Sequence, residues 1–312
     1  MNNDLAPAVN IVIPNWNGLR FLPACLASIE QHNFTSLQVT VVDNGSLDGS
    51  LEYLRENHPQ VRVIALPENR GFSAAVNKGI LSSTAPLVFL LNNDTELAPD
   101  CLRHLMTTAE EQVGFDFFSP KMLSFHDRSM LDGAGDSYLR GGAGYRLGTM
   151  ELDGPAYNQA GPVFGACAGA VLYRRSLFDQ IGLFDEDFFA YLEDVDLNLR
   201  INHSGRRGCY VPTAKVYHIG SASSGSKINP FTVRLSTRNS FYVLLKNYPA
   251  LLLLRFLPVI LIYQFFWLLF VLKKEQVPAY LQGVVQAVRG MREMRKKRKE
   301  ISKYDVEKFQ EV

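Results

Sequence analysis

Residues 86–94 read Pro-Leu-Val-Phe-Leu-Leu-Asn-Asn-Asp. An apolar run that starts after a proline and closes on polar residues is the pattern of a short buried strand whose end opens into a loop. The pattern recurs upstream. Val9 to Pro14 is closed by Asn15-Trp16-Asn17-Gly18, and Gln38 to Val42 by Asp43-Asn44-Gly45-Ser46. Val61 to Leu66 is followed by Glu68-Asn69-Arg70-Gly71. Helical patterns lie between them, from Phe21 to Gln31, Ser50 to Asn57 and Phe72 to Ser82. Strands alternating with helices predict βαβ units and an α/β fold with a mostly parallel central sheet. In such a sheet ligands bind outside the carboxyl ends of the strands, where each of these runs ends in polar residues.

Downstream the pattern loosens. Ser119 to Pro162 is rich in Gly, Asp and Tyr and reads as an irregular or hairpin region at the rim of the site. Gly165 to Tyr173 reads as a strand of small residues that lets a ligand approach the backbone. Ser176 to Ile181 reads as a short helix, and Tyr191 to Arg200 as a helix with an acidic start, which the helix dipole favours. Arg207–Val211 and Ala214–His218 read as two late strands, and Ser221 to Lys227 as a flexible loop. From Phe241 the character changes. Phe256 to Leu272 is apolar apart from Gln264, just short of the roughly 20 residues a spanning helix needs. The basic run Arg289 to Lys299 follows it.

Composition narrows the function. The 32 basic and 31 acidic residues leave a net charge of +1, which argues against a nucleic-acid binder. Cys25, Cys101, Cys167 and Cys209 have no C-x-x-C spacing and read as reduced, buried thiols of a cytosolic protein. The N-terminus has no basic region and no long apolar run, so no signal peptide is expected.

Several polar clusters carry candidate chemistry, each beside an ordinary structural reading. Asn92 and Asp94 form Asn-x-Asp, which meets one cation if the chain turns there. A hard ion such as Mg²⁺ or Mn²⁺ takes oxygen ligands together with waters and phosphate oxygens. A turn or helix cap explains the same residues. Asp43 is either an Asx-turn or a carboxylate accepting from a nucleobase or ribose. Glu193-Asp194 offers a general base, or simple helix N-terminal charge. His218 is a metal ligand or a satisfied core histidine. Asn69-Arg70-Gly71 is a diphosphate grip at a helix start, or a surface turn. Neither G-x-G-x-x-G nor a P-loop is present, so a dinucleotide fold and a P-loop kinase are unsupported.

Taken together, IVIPNWNG (Ile11–Gly18), VVDNGSLDGS (Val41–Ser50), ENRGFSAAVNKGI (Glu68–Ile80), LLNNDTEL (Leu90–Leu97), FFAYLEDVDLNLR (Phe188–Arg200) and VYHIGSAS (Val216–Ser223) resemble glycosyltransferase family 2, and within it the bacterial rhamnosyltransferase-like group. The motifs stand in the family's order and cover most of the chain. The resemblance implies a GT-A fold over residues 1–240, with a nucleotide-binding half (8–118) and an acceptor and catalytic half (119–240). Membrane-associating helices and a basic tail would fill 241–312. It implies that Pro14, Asn15, Asn17, Asp43, Asn69, Arg70 and Asn93 bind the donor. Asp94, Asn92 and His218 would hold Mg²⁺ or Mn²⁺, and Asp194 would be the base, with Glu193 as the competing choice. Asn92 stands where the family's usual motif has an aspartate, and a neutral amide binds a cation more weakly.

The implied activity is inverting transfer from a nucleoside-diphosphate sugar to a glycan or lipid-linked acceptor in bacterial cell-surface polysaccharide synthesis. The Ser221–Lys227 loop would close over the donor. The apolar segment would lie in the plane of the inner membrane face, with the basic tail on anionic lipid. Two alternatives stay open: an inactive nucleotide-sugar-binding subunit of a membrane assembly, and a sugar nucleotidyltransferase.

Overall fold

Strand β1 (Val9–Asn15) lies at the centre of the sheet, with β2 (Leu37–Asn44) and β4 (Leu87–Leu91) parallel on its two sides and β3 (Arg62–Leu66) parallel beyond β2. The computed structural model describes residues 7–32, 36–220 and 228–301. Alternation along each strand divides two cores. Val9, Ile11, Ile13, Phe89 and Leu91 face helices α1 (Leu22–Glu30) and α4 (Cys101–Glu111). Val12, Val42, Val88 and Leu90 face α3 (Phe72–Leu81), α5 (Arg175–Ile181) and α6 (Glu193–His203). Helix α2 (Ser50–Asn57) adds Leu54 to the first core. A sheet buried on both faces explains why these strands read as unbroken apolar runs.

The remaining strands are mixed in direction. On the far side of β4, β11 (Ala170–Arg174) is antiparallel to it and to β6 (Phe117–Ser124). β12 (Gly208–His218) is parallel to β6 and pairs antiparallel with β5 (Thr95–Leu97) and β10 (Gly161–Val163). β7 (Leu131–Gly133) pairs with β6, and β8 (Asp136–Leu139) with β9 (Ala143–Arg146) makes a separate hairpin. In the order β3-β2-β1-β4 the chain adds strands to one side of β1 and then to the other, and this switch opens a crevice at its carboxyl end.

Three readings change. The two late strands are one, with its pairing shifted between Val211 and Lys215. The strand expected over Gly165–Tyr173 starts at Ala170, because residues 166–169 form the turn before it. α4 went unread, and β6 takes up residues 119–124 of the stretch expected to be irregular or a hairpin.

The C-terminal segment is a helical layer. α7 (Pro230–Asn247) starts at an Asn229–Thr232 capping box and runs across the 240/241 division. α8 (Ala250–Lys273) has 24 residues, about 36 Å at 1.5 Å per residue, longer than the apolar run suggested. It returns along α7. Val271 packs with Val233, Trp267 donates to Thr237 Oγ1, Gln264 to Ser240, and Ile260 and Leu252 pack with Leu244. α9 (Val277–Ile301) then runs beside α7 in the same direction, with Gly283 against Arg234 and Thr237 and Gly290 against Tyr242. The outward faces of α8 stay exposed, including Leu251, Leu254, Leu261 and Phe266.

Candidate active site

The carboxyl ends of β1, β2 and β4 converge on one hydrogen-bonded chain. Asn15 Nδ2 donates to Asp43 Oδ2 at 2.9 Å, and Asn93 Nδ2 donates to Asn15 Oδ1 at 2.7 Å. All three side chains are buried. Asp43 Oδ1 also accepts from Ser46 N–H, so the Asx-turn is present and each carboxylate oxygen has an internal donor. Asn17 is exposed and bridges two loops: its Oδ1 accepts from Leu47 N–H and its N–H donates to Ser46 Oγ. Pro14 lies beside them, half-buried. Gly18 permits the crossing of these side chains, since a Cβ there would lie 2.0 Å from Asn93 Nδ2.

Asn69 and Arg70 form the next edge. Asn69 Oδ1 accepts from Asn44 Nδ2 and from Gly71 N–H. Ser73 N–H donates to Phe189 O. Two N–H groups at the start of α3 are therefore used internally, so a diphosphate there would rest on the remaining N–H groups and on Arg70. Arg70 presents a half-exposed guanidinium, 3.8 Å from Glu186.

Beyond β4, Asp94 and His218 meet. His218 Nε2 is 3.4 Å from Asp94 Oδ1, and Nδ1 is 2.8 Å from Asp132 Oδ2. Burial works against the imidazolium, but the hydrogen bonds and charge of Asp132 and Asp94 prevail and push its pKa up to about 9. A carboxylate behind an imidazole is the arrangement that orients a metal-binding histidine. Asp94 and His218 thus fit a divalent ion as a two-residue set. Among the described residues no third His, Cys, Asp or Glu completes it. Diphosphate oxygens and waters would fill the remaining positions, as Mg²⁺ usually has them do. Asn92 lies beside the 166–169 turn: its N–H donates to Gly169 O, and a Cβ on Gly169 would sit 3.2 Å from its amide nitrogen.

The same turn reaches the acidic pair. Asp194 Oδ2 accepts from Ala168 N–H at 3.4 Å, and Oδ1 from Val195 N–H at 2.8 Å. Burial raises the Asp194 pKa, opposed by Arg146. Glu193 is buried, and its Oε2 has no hydrogen-bond partner among the described residues. Burial, then the charge of Asp194, raises its pKa well above the usual range. The neighbours Glu193 and Asp194 thus differ: one is enclosed with an oxygen left without a donor, the other is half-buried and held by backbone donors.

Several residues at this centre went unread in the sequence. Arg146, on β9, contacts Asp132 Oδ2 at 2.5 Å and Cys167 Sγ at 2.6 Å. Burial pushes Asp136 up to about 7 against the pull of Arg146. Asp132, Asp136 and Arg146 all lie in the Gly-rich stretch expected at the rim, where charged residues among glycines were the available signal. The Ser221–Lys227 loop lies outside the described residues.

Residues 10–182 match the family model described as glycosyl transferase family 2. The chain belongs to glycosyltransferase family 2. It is a glycosyltransferase enzyme, and enzymes of this family generally use a divalent metal. The matched stretch includes Asn15, Asp43, Arg70 and Asp94 and ends before Asp194 and His218. Across 244 residues the chain is 30% identical to an N-acetylglucosaminyl-diphospho-decaprenol L-rhamnosyltransferase of Mycobacterium tuberculosis, covering 71% of this chain and 78% of that protein. It is 28% identical to an N-acetylglucosaminyltransferase of Sinorhizobium fredii, over 67% of this chain and 52% of that protein. A PGL/p-HBAD biosynthesis glycosyltransferase of Mycobacterium bovis is also 28% identical, over 62% of this chain and 70% of that protein.

Proposed function

We propose that this family 2 glycosyltransferase acts with inversion. It would move a sugar, with rhamnose the first candidate, from a nucleoside diphosphate to a hydroxyl of a glycan or lipid-linked acceptor in bacterial cell-surface polysaccharide synthesis. The name of the Mycobacterium tuberculosis relative supports the sugar and the lipid-linked acceptor. One observation carries the mechanism. The 166–169 turn touches the Asn92–Asp94 strand end through Gly169 and Asp194 through Ala168, so the diphosphate corner and the acid sit on one frame.

Each residue then has a task. Asn15, Asn93 and Asp43 shape the nucleotide edge, with Pro14, Asn17 and Asn69 lining it. Arg70 meets the diphosphate with its free guanidinium edge. Asp132 fixes the imidazole so that His218 Nε2 faces Asp94. A divalent ion, Mg²⁺ or Mn²⁺, held by Asp94 and His218 would offset the charge that develops on the leaving diphosphate. Asp194 accepts the acceptor hydroxyl's proton, and its raised pKa brings it nearer the working pH of a general base. Glu193, enclosed and with its ionised form disfavoured by burial, is the poorer base. The exposed apolar faces of α8 would lie in the inner membrane surface, near a lipid-linked acceptor.

Asp194→Asn tests the reading. With a thymidine- or uridine-diphosphate sugar and a lipid-linked acceptor, turnover should fall by about 10³-fold while the nucleotide still binds. Undiminished transfer by that variant would remove the base. Released nucleoside diphosphate, rather than pyrophosphate, separates a transferase from a nucleotidyltransferase, and the anomeric configuration of the product reports inversion. A donor that raises the melting temperature but is never turned over would mark an inactive binding subunit.

A further inference from the structure

The backbone just before Asp194 is unusual. Phe189, Tyr191 and Leu192 have φ values of 64°, 70° and 64°, the left-handed region that non-glycine residues avoid. Such a turn persists only when its surroundings hold it. Here four successive carbonyls are held. Phe188 O accepts from Arg238 Nη2 at 2.6 Å and Asn239 Nδ2 at 3.0 Å. Ala190 O and Tyr191 O accept from the same Asn239 Nδ2 at 2.9 and 2.6 Å. Phe189 O accepts from Ser73 N–H of α3, and Gly71 leaves room for it, since a Cβ there would lie 2.5 Å from that oxygen.

Asn239 is fully buried, and its orientation is fixed. Arg238 Nε donates to Asn239 Oδ1 at 2.8 Å, which turns the amide nitrogen towards the loop. An amide nitrogen has two hydrogens, so one of them is shared between carbonyls. Phe231, eight residues earlier on α7, packs edge-on against both Phe189 and Tyr191.

We propose that Asn239 is a positioning residue for the sugar-transfer reaction: its amide holds the strained turn 188–192 that delivers Asp194. Helices α7–α9 are then part of the catalytic unit and not only its contact with the membrane. The inference rests on the reading of Asp194 as the base. It adds that the base is set from α7, which also carries α8 through Thr237 and Ser240.

The test compares Asn239→Ala with Thr237→Val in the full chain. Thr237 is equally buried on α7 but bonds Trp267 of α8, so its loss destabilises the helix layer without touching the turn. Two readouts are taken: amide hydrogen exchange of the peptide spanning 186–195, and steady-state transfer from a thymidine- or uridine-diphosphate sugar. Asn239→Ala should speed exchange there and lower kcat by about 100-fold, the scale of a 1 Å displacement of a catalytic group, with donor KM within about threefold of the unmodified protein. Thr237→Val should leave both unchanged. If Asn239→Ala cannot be recovered folded, Arg238→Gln, which removes one carbonyl bond and the amide's anchor, should give the same pattern at about 10-fold in kcat. Unchanged exchange overturns the clamp. Faster exchange with unchanged kcat, or an equal loss in Thr237→Val, overturns the positioning role. Full transfer by Asp194→Asn removes the base itself and the inference with it, an outcome distinct from the others.

Discussion

Gly18→Ala is a one-methyl change with a large expected effect. Gly18 does not have positive φ, so the backbone accepts alanine and the effect is steric. The added Cβ would sit 2.0 Å from Asn93 Nδ2 and 2.4 Å from Asn15 Oδ1. Ordinary contact needs about 3.5 Å, so each amide must retreat by more than about 1 Å. That breaks the Asn93–Asn15 bond and, through the rotated Asn15, the Asn15–Asp43 bond. Two net hydrogen bonds are worth about 2 kcal/mol, and stranding one buried polar group adds about 1–3 kcal/mol. The loss in unfolding free energy should be about 3–5 kcal/mol. Urea unfolding in detergent, followed by tryptophan fluorescence, measures it through the shift in midpoint at constant slope. Calorimetry with uridine and thymidine diphosphates should show weakened binding in the same variant. A loss below about 1 kcal/mol would refute the reasoning, because the buried chain would then have room to spare.

Three further outcomes follow from the contacts. Asp132→Asn removes the charge behind His218, and Mn²⁺ affinity, read as the metal concentration giving half-maximal transfer, should weaken about 10- to 100-fold. Lys246→Met breaks a buried ammonium that bonds both Asp185 and Asp196, and should cost about 3 kcal/mol at pH 7 by urea unfolding. Burial alone would raise both carboxylates, but Lys246 helps to hold them below their ordinary values. Their stabilisation is complete above the unfolded value near 4 and is lost as pH falls through the folded values, so the gap between variant and unmodified protein should narrow below about pH 4. Phe266→Glu, on the exposed face of α8, should reduce co-sedimentation with anionic phospholipid vesicles without lowering nucleotide affinity.

The parallel half of the fold was legible because each strand is buried on both faces and ends in polar residues. β1–β4 and α1–α3 lie where the apolar runs and turns put them, within a few residues. The far half was less legible. β6 is fully buried along most of its length yet carries Ser119, Pro120 and Lys121, and Lys121 is satisfied by Asp153 and Asn158 from distant loops. No local pattern announces such a strand. The acidic residues of the site were visible as types, but their partners were not. Asp132 meets His218 and Arg146 only after the β8–β9 hairpin folds back, and Asn239 reaches its carbonyls across 48 to 51 residues of chain. Long-range hydrogen bonds of this kind leave no periodic trace.

Length argued against a spanning α8 in the sequence, and that argument no longer holds, since 24 helical residues are enough to cross a hydrocarbon layer of about 30 Å. Packing supports the in-plane reading instead. α8 touches α7 at a few points, through Trp267 on Thr237, Gln264 on Ser240 and the small clusters that hold Val271 with Val233 and Ile260 with Leu244. α7 is in turn fixed to the catalytic body by Asn239 on the 188–191 carbonyls and by Lys246 between Asp185 and Asp196. A transverse α8 would carry Arg234, Arg238 and Lys246 of α7 into hydrocarbon or else peel away from its partner, and each charged group there costs several kcal/mol. Lying flat, α8 would immerse its exposed leucines and phenylalanines while α7 would stay on the polar side. The tail is more constrained than its sequence implied: Lys297 is bound to Asp185 and Asp187, and Arg298 to Tyr248 O. Part of the basic run therefore secures α9 to the catalytic body, which leaves exposed neighbours such as Arg295 and Lys296 as the groups that would meet anionic lipid in the proposed arrangement.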